Sequence, residues 1–153
     1  MMKYNKIIFV CTSNTCRSVM AETIYKSLEV SSDIEVISRG LVVLFPEPSN
    51  PKAVIVMDNH HLSIKEHTSV LIKPEDITED TLILTMNNQQ KEKIMEDFGM
   101  YLNAFTLKEF AGESGDVADP YGKTLVEYEE CYIELARLLK KTVYKLYKDK
   151  PLS

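Results

Sequence analysis

Four consecutive apolar residues, Ile7-Ile8-Phe9-Val10, run without a polar break into Cys11-Thr-Ser-Asn-Thr-Cys-Arg-Ser18. A strand that shows no apolar–polar alternation must be covered on both faces. That is the pattern of a central strand in a parallel sheet with helices on either side. The adjoining segment agrees with it. From Arg17 onward, Met20, Ile24 and Leu28 recur at every fourth position, with Ala21 and Tyr25 beside them. This spacing predicts an amphipathic helix.

The alternation continues along the chain. Ile34–Ser38 reads as a second strand, with Arg39-Gly40 leaving it. The prolines of Phe45–Pro51 mark a loop. Asn50 and Pro51 have the chemistry of an N-cap and a first helical residue, so Lys52–Asn59 reads as a short helix. Thr81–Thr85 is a third strand. Asn87–Phe98 is a helix that Gly99 ends. Tyr101–Phe105 is a fourth strand, and Gly112–Gly122 is a loop. Leu125, Tyr128, Tyr132, Leu135, Leu139, Val143 and Leu146 step by three or four along a last helix. The run Lys140-Lys141 through Lys150 reads as its solvated end. Strands alternating with helices predict an α/β fold: a three-layer αβα arrangement with a four-stranded parallel sheet and a phosphate-binding loop after strand 1. No repeat or linker interrupts the 153 residues, so one domain is expected over residues 1–153.

Net charge −5 argues against nucleic acid or an anionic membrane as the main partner. No stretch is long and apolar enough to cross a bilayer, and the apolar run behind Met1–Lys6 is too short for a signal-peptide core. A cytoplasmic protein is expected. Three cysteines do not make a disulfide framework, and Cys11 and Cys16 lack the C-x-x-C spacing of zinc sites. Asp58, His60, His61 and His67 are not spaced to converge, so neither a metal nor a cofactor is implied.

The segment behind the first strand suits phosphoryl transfer. Thr12, Ser13, Asn14, Thr15, Cys16 and Arg17 can wrap an anion with their N–H groups turned inward, and the helix start adds its own. Arg17 offers a planar fork for two phosphate oxygens. The same positive field favours the thiolate of Cys11, the nucleophile. Ser18 can donate a hydrogen bond to that sulfur. The leaving group needs a proton, so a carboxylic acid belongs on another loop at the same sheet edge. Asp119, fixed by Pro120, is the candidate, and Asp116 is its competitor.

With these residues in place, the chain resembles the low-molecular-weight protein tyrosine phosphatases, whose opening pattern is C-x-G-N-x-C-R-S followed by Pro-Met-Ala-Glu. Cys11, Asn14, Cys16, Arg17, Ser18, Met20, Ala21 and Glu22 match it, as Asp119-Pro120-Tyr121 matches the family's closing motif. Leu82–Met86, Ser38-x-Gly40 and His67-Thr68-Ser69 are also similar. The resemblance implies a phosphocysteine on Cys11 and phosphoryl binding by Arg17 and the amides of Thr12 to Arg17. It further implies Asp119 as acid and then base, a loop braced by Asn14, and phosphorylated proteins as substrates.

Three positions depart from the family pattern. Ser13 replaces a glycine, Val19 a proline, and Arg39 a small residue. Thr15 resembles the branch that acts on phosphoarginine, and Tyr121 is placed to flank a substrate ring or guanidinium. Cys16 is expected to form a reversible disulfide with Cys11, as in family members that carry it. Cys131 reads as a buried, inert thiol. Two other functions fit less well. An arsenate reductase of this fold needs two further cysteines, generally beyond the third strand, and residues 82–130 have none. A non-catalytic phosphate- or phosphoprotein-binding module needs no Cys11 and Asp119 together.

Overall fold

The computed structural model describes residues 3–28, 33–100 and 103–148. Four parallel strands form one sheet in the order β2-β1-β3-β4: β1 (Lys6–Cys11), β2 (Glu35–Gly40), β3 (Thr81–Thr85) and β4 (Asn103–Thr106). Lys6 pairs with Glu35 on one side and with Thr81 on the other, and Leu82 pairs with Asn103. The chain leaves β1 for one neighbour and later returns to place β3 on the other side. The carboxyl end of β1 is therefore the topological switch point, where open α/β sheets bind ligands.

Side chains alternate along β1 into two cores. Ile7 and Phe9 join Leu82 and Leu84 beneath α1 (Arg17–Leu28), α2 (Pro51–Asn59) and α5 (Leu125–Tyr147). Ile8 and Val10 join Ile83 and Ala104 beneath α3 (Asn88–Phe98), which contributes Ile94. All four apolar residues of β1 have no exposed surface. Each such burial contributes about 1.5–3 kcal/mol, which is why the strand is apolar on both faces.

Several boundaries differ from the sequence expectation. β2 runs through Arg39 and Gly40, because Gly40 donates to Val70 O and accepts from Ile72 N, adding a bridge to Leu71. Arg39 is held by Asp76, which follows Pro74 in a short 3₁₀ turn, Pro74–Asp76. Asn87 is the cap of α3 rather than its first residue, with its side chain accepting from Gln90 N. Of the expected fourth strand, Tyr101 and Leu102 lie outside the described residues; β4 starts at Asn103 and ends one residue later than expected, at Thr106.

A four-residue helix, α4 (Leu107–Phe110), follows β4 directly. On α5, Tyr128, Cys131, Leu135, Leu138, Leu139 and Thr142 are buried, while Leu125 in the first turn is half exposed. The lysines at its end are not simply solvated: Lys145 donates to Phe110 O and Lys141 pairs with Glu113. Arg137 and Lys141 together hold the Glu113 carboxyl down at about 2. Among the described residues no helix is long and apolar enough to cross a membrane.

Candidate active site

The loop from Cys11 to Arg17 is shaped by what its carbonyls do. Cys11 O accepts from Leu41 N, Thr12 O from Val42 N, and Thr15 O from Asn50 N. His67 Nε2 lies 2.7 Å from Asn14 O, so that nitrogen carries the proton and donates it. Each of these acceptors faces outward. No peptide bond among the described residues is cis. In a trans peptide, the C=O and the next N–H point to opposite sides. The N–H groups of Thr12, Ser13, Thr15 and Cys16 therefore turn to the inside of the loop. Cys16 O closes the first turn of α1 with Met20 N, and the helix presents its positive end to the same space.

Asn14 is the internal brace. It is fully buried and holds φ 59°, a left-handed conformation that asparagine tolerates better than most residues. Its Nδ2 donates to Ser18 Oγ (2.8 Å) and Ser38 Oγ (3.0 Å), and its Oδ1 accepts from Val70 N (3.0 Å). Ser38 passes its own hydrogen to Glu22 Oε1 at 2.7 Å. Because Ser18 Oγ accepts from Asn14, its hydrogen is left for Cys11 Sγ, 2.9 Å away. The chain Cys11–Ser18–Asn14–Ser38–Glu22 thus ends as a donor on the sulfur. Ser13 stands where the family pattern has glycine, yet the left-handed residue of the loop is the next one, Asn14. Gly40 is needed where β2 passes the loop, since a Cβ there would lie 2.7 Å from Val43 Cγ2 and 3.0 Å from Thr12 O.

A second loop reaches the same cavity. Val117, nearly inaccessible to solvent, donates its N–H to Met86 O at the end of β3 and accepts from Arg17 Nη1 at 2.9 Å. That clamp sets Asp119 with Oδ2 3.5 Å from Arg17 Nη2. The Asp119 side chain is 56 % exposed and Arg17 only 6 %, so the pair joins a buried cation to an accessible carboxylate. Asp119 Oδ1 accepts from Tyr121 N, which steadies the turn. Asp116 is turned elsewhere, accepting from Asn88 N at the start of α3.

A cavity of about 320 Å³ is lined by Cys11, Thr12, Ser13, Thr15, Cys16, Arg17, Glu47, Asp119 and Tyr121. Sequence reasoning names all of these except Glu47. Val42, Leu44 and Phe45, on the strap that carries Glu47, are exposed. Ser13 Oγ and Thr15 Oγ1 are 2.9 Å apart.

The cysteines Cys11, Cys16 and Cys131 are free and buried. Burial pushes the Cys16 thiol far up, with Cys131, Cys11 and Asp119 adding to the rise and Arg17 opposing it. Burial likewise pushes Cys131 up to about 12. Among the described residues no group of His, Cys, Asp or Glu is placed to hold a metal. His60 instead bonds Glu129 and stacks on Tyr132.

Residues 6–152 match the family model described as low molecular weight phosphotyrosine protein phosphatase. The protein-arginine-phosphatase of Bacillus subtilis (strain 168) is 38% identical over 149 residues, covering 94% of this chain and 98% of that protein. The low molecular weight protein-tyrosine-phosphatase PtpB of Staphylococcus aureus is 39% identical over 136 residues, covering 89% and 95%. Among solved structures, a mutant of the YwlE arginine phosphatase with a phosphorylated active-site serine superposes with TM-score 0.87 at 37% identity, covering 95% of this chain and 97% of that one.

Proposed function

The chain belongs to the low molecular weight phosphotyrosine protein phosphatase family, and on that premise we propose that it hydrolyses phosphotyrosine or phosphoarginine on proteins through a phosphocysteine at Cys11. The observation that carries this reading is the meeting, in one cavity, of the Cys11 sulfur, inward N–H groups, the Arg17 fork and the Asp119 carboxylate.

In the first step the Cys11 thiolate attacks phosphorus. The bond to the substrate oxygen or nitrogen breaks, and Asp119, protonated, gives its proton to that leaving atom. The N–H groups of Thr12 to Arg17 and the guanidinium of Arg17 hold the three equatorial oxygens over which the charge of the transferring phosphoryl group is spread, and fix it in line with the sulfur. In the second step Asp119, now a carboxylate, takes a proton from water, which attacks the phosphocysteine. The S–P bond breaks, phosphate leaves, and the Ser18 hydroxyl steadies the returning thiolate. In a mutant of the related arginine phosphatase, a serine that replaces an active-site cysteine carries a phosphoryl group, which supports a phosphoryl-enzyme at Cys11. A thiol nucleophile is kept reduced in the cytoplasm, where we place the protein.

Turnover of phosphotyrosine and phosphoarginine peptides tests the assignment. Cys11→Ser is expected to abolish it. Asp119→Asn should lower kcat roughly 10²–10⁴-fold while leaving phosphate binding intact. Asp116→Asn should stay near wild type. Activity that survives Cys11→Ser, or that follows Asp116 rather than Asp119, refutes the roles given. A merely phosphate-binding module would show binding without turnover. An arsenate reductase would give rapid thioredoxin-coupled reduction of arsenate, which the cysteine-free stretch 82–130 does not support.

A further inference from the structure

Arg17, Asp119 and Glu47 are the charged residues lining the cavity. Arg17 takes phosphoryl oxygens and Asp119 moves the proton. Glu47 has no part in either step, and among the described residues nothing pairs with its carboxylate. Its backbone is nevertheless fixed. Glu47 N donates to Ser69 Oγ at 2.8 Å, and Glu47 O accepts from Ser69 N at 2.8 Å. Pro46 and Pro48 flank it, and Pro48 bridges to Thr68. The carboxylate is therefore carried on a rigid strap into the wall of a site that must gather a phosphoryl dianion.

A fixed negative charge in such a wall weakens phosphate binding unless the substrate brings a positive charge with it. A phosphotyrosine ring brings none. A phosphorylated guanidinium does: it is cationic and planar, and its N–H groups match a carboxylate in fork geometry. The rest of the wall suits it as well. In the Ser13–Thr15 hydroxyl pair only one hydrogen is used between them, and Tyr121, 75 % exposed, offers a ring face.

We propose that Glu47 is a specificity-determining residue that takes the guanidinium of phosphoarginine and so favours it over phosphotyrosine. The inference rests on the phosphatase reading above. It assigns the role to a position that neither end motif of the sequence contains.

The test uses free phosphoarginine and free O-phosphotyrosine, so that no flanking residue contributes. Glu47→Gln should lower kcat/KM for phosphoarginine about two- to five-fold, as for loss of an exposed ion pair, and raise it for phosphotyrosine, which no longer meets the fixed negative charge. Glu47→Lys should move the ratio further the same way. Raising the salt should narrow the preference of the wild type and not that of Glu47→Gln. A ratio that does not move, or a wild type that turns over only phosphotyrosine, overturns the role of Glu47 while Cys11-dependent turnover keeps the phosphatase reading. Turnover that persists in Cys11→Ser overturns the reading itself. The Glu47 side chain is exposed and its structural bonds are all backbone, so neither substitution should disturb the fold.

Discussion

Replacing Asn14 by alanine and, separately, by glycine separates the two things this residue does. Both changes remove the three side-chain hydrogen bonds to Ser18, Ser38 and Val70. The Val70 N–H loses its acceptor in a half-buried place, which costs about 1–3 kcal/mol. Ser18 and Ser38 each keep another partner, Cys11 and Glu22, so each loses about 0.5–1.5 kcal/mol. Alanine must also hold φ 59°, a strain of about 1 kcal/mol that glycine escapes. Asn14→Ala should therefore lose about 3–7 kcal/mol, a large share of a typical margin. Asn14→Gly should lose about 1 kcal/mol less.

Urea unfolding measures these differences, and kinetics on p-nitrophenyl phosphate at a temperature where both variants stay folded measures the site. Both should drop kcat/KM roughly 10²–10³-fold, because the inward N–H groups no longer converge and Ser18 is free to turn its hydrogen away from Cys11. The reasoning fails if Asn14→Ala unfolds within about 1 kcal/mol of wild type, or if glycine proves no better than alanine.

Gly40→Ala places a methyl against Val43 and the Thr12 carbonyl. It should cost about 1–3 kcal/mol and lower activity more than Arg39→Ala, which loses the Asp76 pair on the neighbouring position of the same strand; calorimetry and kinetics on both variants check the order. The raised thiol of Cys131 gives a pH prediction. Its folded-state value, about 12 against an ordinary 9.0, favours the protonated form. Its contribution is therefore complete below pH about 9 and lost as pH climbs toward 12, the loss amounting to about 2 kcal/mol by pH ~10.5. Urea midpoints should fall over that range and fall less steeply in Cys131→Ala; equal slopes refute it.

The elements legible in the sequence are those whose signals are local. β3 has the expected bounds because Thr-Leu-Ile-Leu-Thr is buried throughout. α2 starts at Pro51 because Asn50 accepts from Lys52 N and Ala53 N. α4 is too short to show an apolar period, although its capping pair is visible in the sequence, with Thr106 and Glu109 bonding each other's backbone N–H. On α5 a strict three-or-four step includes Leu125 and passes over Leu138, because such a step cannot tell which of its turns packs against the neighbouring helices. At the site, the reacting groups are legible from residue type and spacing. Glu47 is not. It sits in a proline-rich loop, and only its strap to Ser69, 22 residues away, aims it at the cavity. The left-handed turn at Asn14 is also hidden, since the missing glycine at Ser13 points to strain one residue too early.

These long-range contacts also explain why reaction and selection can be separated in this site. The strap between β2 and α2 braces the phosphate loop through main-chain groups: Leu41 N, Val42 N and Asn50 N fix its carbonyls. Its side chains are not needed for that, and Val42, Leu44, Phe45 and Glu47 all stand exposed. Substitutions there leave the inward N–H groups in place while changing what the cavity mouth presents. The Cys11–Ser18–Asn14 chain has no such freedom, because each of its side chains is both buried and hydrogen-bonded. A change of substrate should therefore come through the strap and the cavity-lining side chains of Ser13 and Thr15, and a loss of chemistry through the buried Cys11–Ser18–Asn14 chain.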